Sequence, residues 1–300
     1  MKYIFKIITL TLIIFTATNA SSTNKLRISA NELINNINYI KTKNNINAII
    51  LIDTRSEDLY DQGHIKNALN FPISKTFENL SVDGKIVNPI KFGKIARELG
   101  LKKDSEIVIY DGGSFFDSSR LFWTLEVYGF TNVKLLSNSY SYWQMNHFPI
   151  SDTIRKIIKS DYISTIDNTK LATKFATQIA IENPRQIIID ARGTKGYTGE
   201  VSTALRFGHI PKAINLPAQH NIKKFEDGTS SLHDISKLEK LYSNLDKKKK
   251  VIIYCEVGKL SSTNYFVMRE LGFNVANYDS SWKEWGNEFY LPIIKPKNKI

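Results

Sequence analysis

The stretch VIIYCEVGKLSS, residues 251–262, decides the fold. Its first four residues are apolar and mostly β-branched, which is typical of a buried strand in a parallel sheet. From Ser261 to Leu271 apolar residues recur on one side of a predicted helix, and Gly272 stands where that helix ends. The stretch therefore predicts a strand, a short loop and a helix, the unit from which α/β folds are built.

Cys255, the only cysteine in the chain, directly follows this strand. Loop N–H groups and the positive end of the helix dipole both stabilise an anion there, so the position favours a reactive thiolate. A small buried hydrophobe is the alternative, and it is what most free cysteines are. We interpret Cys255 as a reactive thiol, because a strand end, a glycine-containing loop and a helix start together are typical of a ligand-binding edge.

The chain contains an internal repeat. Three pairs of segments match in the same order: 48–55 with 186–192, 63–72 with 208–217, and 107–111 with 251–255. In the third pair Asp111 stands where the second copy has Cys255. Each half alternates short apolar runs with helical segments. We therefore predict an α/β fold of two domains, each a parallel sheet flanked by helices.

The pattern also predicts boundaries and core positions. We place the first domain at residues 26–150, an interdomain connection at 151–180 and the second domain at 181–290. Helices are expected over 29–39, 90–99, 119–127, 235–242 and 261–271, and strands over 49–52, 107–110 and 251–254. Core aromatics are predicted at Trp143 and at Trp282 or Trp285, and the repeated His64 and His209 are interpreted as structural.

Residues 1–20 are typical of a signal peptide. Lys2 and Lys6 precede an apolar run at 7–15, and small residues lead up to Ala20. A retained amino-terminal anchor is the alternative. No later segment is long and apolar enough to span a bilayer. We therefore expect a periplasmic or secreted protein with no membrane span after cleavage.

The net charge of +12 is spread over loops and tails, as in the lysine run at 247–250. Nucleic-acid binding would need basic residues interleaved with aromatics on one face, and the sequence shows no such stripe. A basic surface still attracts small anions. The five histidines show no metal-ligand spacing, so no metal site is expected.

Motifs of both halves together resemble the tandem-domain rhodanese family, the thiosulfate/3-mercaptopyruvate sulfurtransferases. They are Asp-x-Arg, Gly-His-Ile-x-x-Ala-x-Asn, Tyr-Cys-x-x-Gly and the late Asp-Ser-Ser-Trp at 279–282. The resemblance covers residues 26–289. It implies two rhodanese-like domains, the first inactive because Asp111 occupies its cysteine position.

The resemblance further implies a reaction. Cys255 would take a sulfane sulfur from a small-molecule donor such as thiosulfate or 3-mercaptopyruvate and become a persulfide. A thiol or cyanide acceptor would then remove the outer sulfur, with no metal or organic cofactor. The substrate is expected to contact the loop after Cys255 and two nearby cations. The loop residues are Glu256, Val257, Gly258, Lys259, Leu260 and Ser261, and the cations are Arg192 and Lys195.

This loop departs from the family pattern. Glu256 follows the cysteine where thiosulfate-using relatives commonly carry an arginine. Val257 stands where mercaptopyruvate-using members tend to carry a serine. An anion-contacting arginine of the family is replaced by Gly196, although Lys195 is adjacent and can act as a point charge. A carboxylate beside the thiolate opposes a dianionic donor, so we expect sulfur transfer but poor use of thiosulfate.

Three alternatives stay open from the residues. A cysteine phosphatase has a loop one residue longer that ends in arginine, whereas here Leu260 is followed by Ser261. A non-catalytic module that binds a partner or carries sulfur is favoured by Glu256 and Gly196. A cysteine protease would need a histidine close to Cys255 in space, which spacing along the chain does not establish.

Overall fold

Two five-stranded sheets with identical strand order form the framework. The structure is a computed structural model that describes residues 25–42, 49–81 and 83–295. The predicted signal peptide, residues 1–20, lies outside the described residues. Among the residues described, no helix is both long and apolar enough to cross a membrane.

The first domain contains seven strands and five helices within the described ranges. In chain order they are β1 (Arg27–Ile28), α1 (Ala30–Thr42), β2 (Ile49–Asp53), α2 (Glu57–Asp61), β3 (His64–Ile65), β4 (Leu69–Asn70), α3 (Pro89–Glu98), β5 (Glu106–Tyr110), α4 (Phe116–Val127), β6 (Val133–Leu136), α5 (Tyr140–Met145) and β7 (Ile150–Ser151).

The second domain repeats the order of the sheet strands and of the five helices and adds a hairpin. In place of the β3–β7 pair it has an isolated bridge between His209 and Ile294. Its elements are β8 (Leu171–Ala172), α6 (Lys174–Glu182), β9 (Gln186–Asp190), α7 (Thr194–Thr198), β10 (Ile214–Asn215), β11 (Ile222–Lys224), β12 (Ser230–Leu232), α8 (Ile235–Tyr242), β13 (Lys250–Tyr254), α9 (Ser261–Glu270), β14 (Val275–Tyr278) and α10 (Ser281–Trp285).

The sheets confirm the predicted α/β class and the internal repeat. Strands run in the order β1-β6-β5-β2-β4 in the first sheet and β8-β14-β13-β9-β10 in the second, and all pairings within the two sheets are parallel. Strands β5 and β13 are central and almost wholly buried, which explains their uninterrupted apolar sequences. The carboxyl ends of β5 and β13, which lead to Asp111 and Cys255, therefore occupy equivalent positions in the two sheets.

The interdomain connection is shorter than the predicted 151–180. Leu171–Ala172 already pairs with β14 of the second sheet, and α6 follows directly at Lys174–Glu182. This edge strand was missed because two residues carry no periodicity. The connection therefore ends before Leu171, and the second domain begins there rather than at residue 181.

Helices α4 and α9 pack against each other across the domain boundary. Phe122 of α4 meets Phe266 of α9 edge-on, with ring centroids 4.9 Å apart. Around them a single apolar core extends from Ile52 and Ile109 of the first sheet to Ile253 of the second. The two domains therefore share one continuous core.

Most predicted elements are confirmed, and one helix differs at its start. Helix α8 spans the predicted residues 235–242, and Trp143, Trp282 and Trp285 are all fully buried. Helix α4 begins at Phe116, three residues before the predicted Ser119. The earlier start follows from Asp111, whose carboxylate accepts a hydrogen bond from the backbone N–H of Ser118 in the first turn.

Candidate active site

Cys255 lies at the carboxyl edge of the second sheet, directly after β13 and six residues before α9 begins. Its N–H donates to Ser281 Oγ at 3.1 Å, and its carbonyl accepts from the N–H of Trp282 at 3.0 Å. The main chain of Cys255 is thus fixed by α10. The side chain is 0 % exposed.

The thiol has one hydrogen-bonding neighbour and belongs to a small apolar cluster. Ser261 Oγ lies 3.4 Å from Cys255 Sγ, within hydrogen-bonding range for sulfur. The same hydroxyl donates to Asn277 Oδ1 at 2.7 Å. The apolar neighbours are the buried Ala191 and Ala218 and the half-buried Phe116 and Leu260. Phe116 belongs to α4, so the first domain contributes directly to the surroundings of the thiol.

The loop after the thiol is rich in available hydrogen-bond donors. Among the described residues, none accepts a hydrogen bond from the N–H groups of residues 256–260. Successive backbone N–H groups in a turn with a left-handed residue form an anion-binding nest, and Gly258, with φ +71°, is such a residue in this loop. The chemistry that suits such a loop is stabilisation of negative charge on or next to the sulfur.

The equivalent loop of the first domain holds an anion of its own. Asp111 Oδ1 accepts from the N–H groups of Gly113 at 2.7 Å and Phe115 at 3.2 Å. Its Oδ2 accepts from the N–H and Oγ of Ser118 at 3.2 and 3.0 Å. Burial and then the charge of Asp117 raise the pKa of Asp111, while these N–H groups lower it. Both loops thus connect a central strand to a helix, and in the first domain the carboxylate of Asp111 already accepts hydrogen bonds from the N–H groups.

Gly258 sets the shape of the catalytic loop. Its φ is +71°, in the left-handed region, and its carbonyl accepts from Ser262 Oγ at 2.6 Å, Asn277 Nδ2 at 3.0 Å and Arg120 Nη1 at 3.3 Å. In a trans peptide the carbonyl and the following N–H point in opposite directions. Fixing this carbonyl therefore turns the N–H of Lys259 to the other side of the loop.

Arg120 contacts the loop after Cys255, and the sequence reasoning missed it. It is 0 % exposed and lies between the rings of Phe77 and Trp123, at 4.3 and 4.4 Å from their centroids. Its Nη2 is 3.2 Å from Asp279 Oδ1, and Asp279 Oδ2 accepts from the N–H of Ile86 at 2.6 Å. Burial lowers the pKa of Arg120 and raises that of Asp279. An ion pair thus connects the first domain to the back of the catalytic loop.

The sequence around Arg120 carries no clear signal, because its helix also contains Asp117, Thr124 and Glu126. In the structure residues 118–127 of that helix are all buried. A buried charged side chain needs a buried partner. The partner, Asp279, is 159 positions further along the chain, so the pairing could not be read from spacing.

Gly84 of the first domain also lies against the catalytic loop. A Cβ built on Gly84 would lie 2.8 Å from Cβ of Val257, so the two backbones approach closely. Lys283 Nζ donates to the carbonyls of Leu80 at 2.9 Å and Ser81 at 2.6 Å. Val257, expected to contact substrate, therefore faces the first domain.

The predicted cations are mostly engaged with carboxylates. Lys259 Nζ lies 2.5 Å from Asp117 Oδ1 of the first domain. Arg192 forms a bidentate pair with Asp190, with Nη2 and Oδ2 at 2.6 Å, and its Nη2 also donates to the carbonyl of Gly208 at 2.8 Å. Burial lowers the pKa of Arg192, but the hydrogen bonds and charge of Asp190 outweigh burial and raise it.

The arrangement of Arg192 recurs in the first domain. Arg55 Nη2 lies 2.6 Å from Asp53 Oδ2 and 2.7 Å from the carbonyl of Gly63. Because the first domain has no cysteine, the matching contacts of Arg55 and Arg192 indicate that this arrangement supports the fold of each domain. Arg192 Nη1 is buried and bonded to no described residue, so one of its donors stays available.

Lys195, Gly196 and Glu256 differ in their exposure to solvent. Lys195 is exposed on α7, and the buried Gly196 packs against Arg192, where an added Cβ would lie 3.2 Å from Arg192 Cβ. Glu256 is half-buried, and its carboxylate accepts a hydrogen bond from Thr203 Oγ1.

The two histidines of the repeat are held in matching positions. His64 stacks on Tyr60 and His209 on Tyr197, each with ring centroids 3.8 Å apart. Nδ1 of each histidine lies within 3.0 Å of the carbonyl oxygen of the tyrosine on which it stacks. Burial lowers the pKa of His209. In the described ranges, no group of three or more His, Cys, Asp or Glu is placed to hold a metal ion.

Comparisons with known proteins agree with this geometry. A model of the rhodanese-like domain matches residues 29–146 and 172–288. A protein of Mycobacterium bovis named putative thiosulfate sulfurtransferase 1 is 32% identical over 247 residues, which covers 78% of this chain and 87% of the relative. A putative thiosulfate sulfurtransferase of Haloferax volcanii is 26% identical over 289 residues, covering 92% and 99%.

Solved structures share the fold at lower identity. SseA from Escherichia coli, described among 3-mercaptopyruvate sulfotransferases, superposes with a TM-score of 0.73 at 23% identity, covering 86% of this chain and 99% of SseA. An anaerobic ergothioneine biosynthesis enzyme from Chlorobium limicola gives a TM-score of 0.78 at 18% identity, covering 92% and 71%. The first matched segment contains the first sheet except its edge strand β1, and the second contains the second sheet except Leu171. The chain belongs to the rhodanese-like domain family, with two such domains in tandem.

Proposed function

We propose that the protein is a sulfurtransferase that carries sulfane sulfur as a persulfide on Cys255. The observation that carries this proposal is the thiol at the start of a loop whose N–H groups, at residues 256–260, have no acceptor among the described residues. The names of the relatives, putative thiosulfate sulfurtransferases, support the reaction class.

The reaction has two displacement steps. The Cys255 thiolate attacks the transferable sulfur of the donor and forms an Sγ–S bond to it. The bond from that sulfur to the rest of the donor breaks, S–S in thiosulfate or a thiosulfonate and C–S in 3-mercaptopyruvate, and its electron pair leaves on the donor fragment. The persulfide anion then lies against the loop N–H groups. An acceptor thiolate or cyanide attacks the outer sulfur, and Cys255 departs as thiolate.

The first domain has no sulfur-carrying role in this proposal. Asp111 occupies its cysteine position and its carboxylate already uses that loop's N–H groups. A phosphatase reaction is not favoured, because the loop at 256–261 contains no arginine and the nearby Arg120 contacts it only through the carbonyl of Gly258.

The test uses the single cysteine of the chain. Purified protein is incubated with thiosulfate, 3-mercaptopyruvate or benzenethiosulfonate, and whole-protein mass spectrometry measures the gain of one sulfur atom. We expect the gain in the wild type and none in Cys255→Ser. The proposal is wrong if no donor adds sulfur to the wild type, or if Cys255→Ser gains it equally while folded.

We also propose that the protein acts outside the cytoplasm, which the pattern of residues 1–20 supports. Amino-terminal sequencing of the protein from its host should give a start at or close to Ser21. An intact Met1 on cytosolic protein would contradict this.

A further inference from the structure

We propose that the first domain contains a second binding site, which takes a small organic anion with an apolar body, such as a medium-chain carboxylate. The site is a cavity of about 330 Å³ between the first sheet, the end of α3 and the interdomain connection. All of its lining residues lie between Ile50 and Lys159, so neither the second domain nor Cys255 contributes to it. Its volume is within the range of small-molecule pockets, ~300–1,000 Å³.

The cavity lies where the edge of the first sheet is incomplete. Strand β4 pairs with β2 only at the last two residues of β2. On the side away from β5, Ile50 of β2 therefore has no strand beside it among the described residues, and Ile50 lines the cavity. The connection is held opposite this gap by Ser160. Its N–H donates to the carbonyl of Arg97 at 3.1 Å, and its hydroxyl donates to the carbonyl of Leu101 at 2.5 Å. The connection thus covers the gap in the sheet edge without filling it.

The walls of the cavity are mostly aliphatic. A Cβ built on Gly100, just after α3, would lie 3.3 Å from Cγ2 of Ile157, so the connection packs closely onto the end of that helix. The next residue, Ile158, is 85% exposed and leaves apolar surface in water. Burial of a ligand methylene on such surface raises its affinity by about fourfold. The aliphatic lining residues are Ile50, Leu69, Leu99, Ile157 and Ile158.

The charged residues of the cavity are all basic. Four of the eleven lining residues are lysine or arginine, and none is aspartate or glutamate. Lys102, Lys156 and Lys159 are exposed, and none of these three forms an ion pair with a described residue. Ser105 Oγ accepts a hydrogen bond from the N–H of Lys102 at 2.9 Å, which leaves the hydroxyl proton of Ser105 to donate to a ligand. A ligand anion is therefore attracted here without displacing a carboxylate of the protein.

Calorimetric titration of the purified protein with octanoate tests the site, with butanoate and 1-octanol as matched ligands. Octanoate has both the charge and the apolar body, butanoate has the charge with a shorter body, and 1-octanol has the body without the charge. We expect one octanoate to bind per chain, and butanoate and 1-octanol to bind at least about tenfold more weakly. Raising the salt concentration should weaken octanoate more than 1-octanol, because salt screens charge interactions.

A pair of glutamate variants locates the site on the connection. Ile158→Glu places a carboxylate at the cavity and should weaken octanoate binding by at least about tenfold. Ile163→Glu is the matched control, because Ile163 belongs to the same connection and is 80% exposed but does not line the cavity. Both positions are largely in water, so both variants should fold.

A pair of double variants tests the role of the lysines. Lys156→Gln combined with Lys159→Gln removes two cations of the cavity and should weaken octanoate by about tenfold, since one exposed charge contact contributes at most about fivefold. Lys247→Gln combined with Lys248→Gln removes the same charge at two exposed lysines outside the cavity and should leave the affinity unchanged.

Three results would overturn the inference. They are the absence of saturable octanoate binding below about 1 mM, binding of 1-octanol as tight as that of octanoate, and wild-type affinity for octanoate in both the Ile158→Glu variant and the double variant of Lys156 and Lys159. Because the titration measures binding and not sulfur loading, its result is independent of the function proposed for Cys255.

Discussion

Replacing Arg120 by methionine should weaken both stability and sulfur loading. The guanidinium is 0 % exposed, and Asp279 Oδ1 lies 3.2 Å from Nη2. Removing one partner of a buried ion pair leaves an uncompensated charge, which typically costs about 3–5 kcal/mol. Methionine fills similar space without charge, so we assign most of this loss to the orphaned carboxylate of Asp279.

The same change should slow the reaction. The carbonyl of Gly258 loses one of its three donors, and the loop N–H groups are then held less firmly. One hydrogen bond from a charged group contributes about 1.5–3 kcal/mol. This hydrogen bond is present in the free protein as well as in the transition state, so only part of its free energy affects the rate. We therefore expect kcat/KM for persulfide formation to fall about tenfold.

The assay is a double-mutant cycle with a matched control. Urea unfolding, followed by tryptophan fluorescence, compares Arg120→Met, Asp279→Asn and the double variant. The double variant should be more stable than the sum of the single losses predicts, by about 1–3 kcal/mol. The control is Arg27→Met, since Arg27 also pairs across the domains, 2.7 Å from Glu270 Oε1, but does not contact the loop.

Two results would refute this reasoning. One is additivity of the Arg120 and Asp279 changes, which would mean that the pair is not coupled. The other is equal loss of sulfur loading in Arg120→Met and Arg27→Met, which would mean that general destabilisation, and not the loop, explains the effect.

Three further predictions concern the loop and the first helix. Gly258→Ala should destabilise the protein by more than Gly272→Ala and abolish sulfur loading. Both residues have positive φ, +71° and +81°, so alanine at either position costs about 1–2 kcal/mol of backbone strain. Only the added Cβ at position 258 would also clash, because Arg120 Nη1 would lie 2.6 Å from it. Equal unfolding curves for the two variants would contradict this prediction. Glu256→Arg should raise kcat/KM for thiosulfate about tenfold in a donor assay, because a repulsive charge becomes attractive, and unchanged kinetics in folded protein would count against it. Glu32→Ala should lower stability near neutral pH by about 1 kcal/mol. Hydrogen bonds from Lys25 and from the N–H of Ser29 lower the pKa of Glu32 from 4.5 to about 2, so this difference should vanish in unfolding curves as the pH falls from 4.5 to 2.

The sequence was sufficient for the features that are local or repeated. A strand of four apolar residues, a loop and a helix place Cys255 without reference to the rest of the chain. The repeat then supplies the second sheet and the position of Asp111. Helix α8, predicted over 235–242 from the repeated alternation of apolar runs and helical segments, spans those residues.

The contacts between the domains could not be predicted in the same way. Phe116, Arg120 and Gly84 act on a loop more than 130 positions away, and nothing in their own neighbourhood identifies that partner. Lys259 was predicted to contact substrate, but its ammonium group is paired with the carboxylate of Asp117 in the first domain. Three-dimensional proximity, and not residue type, decided these roles.

The continuous core has a consequence for how the molecule melts. Multidomain chains often unfold domain by domain, because the interfaces between their domains are small and polar. Here α4 and α9 bury each other, and a bridge between Asn138 and Ser231 joins the domains again. Unfolding either domain alone would leave half of this apolar layer in water. Calorimetry should therefore record a single endotherm, and a chain cut in the connection before Leu171 should yield two fragments that are insoluble apart and regain structure only when mixed.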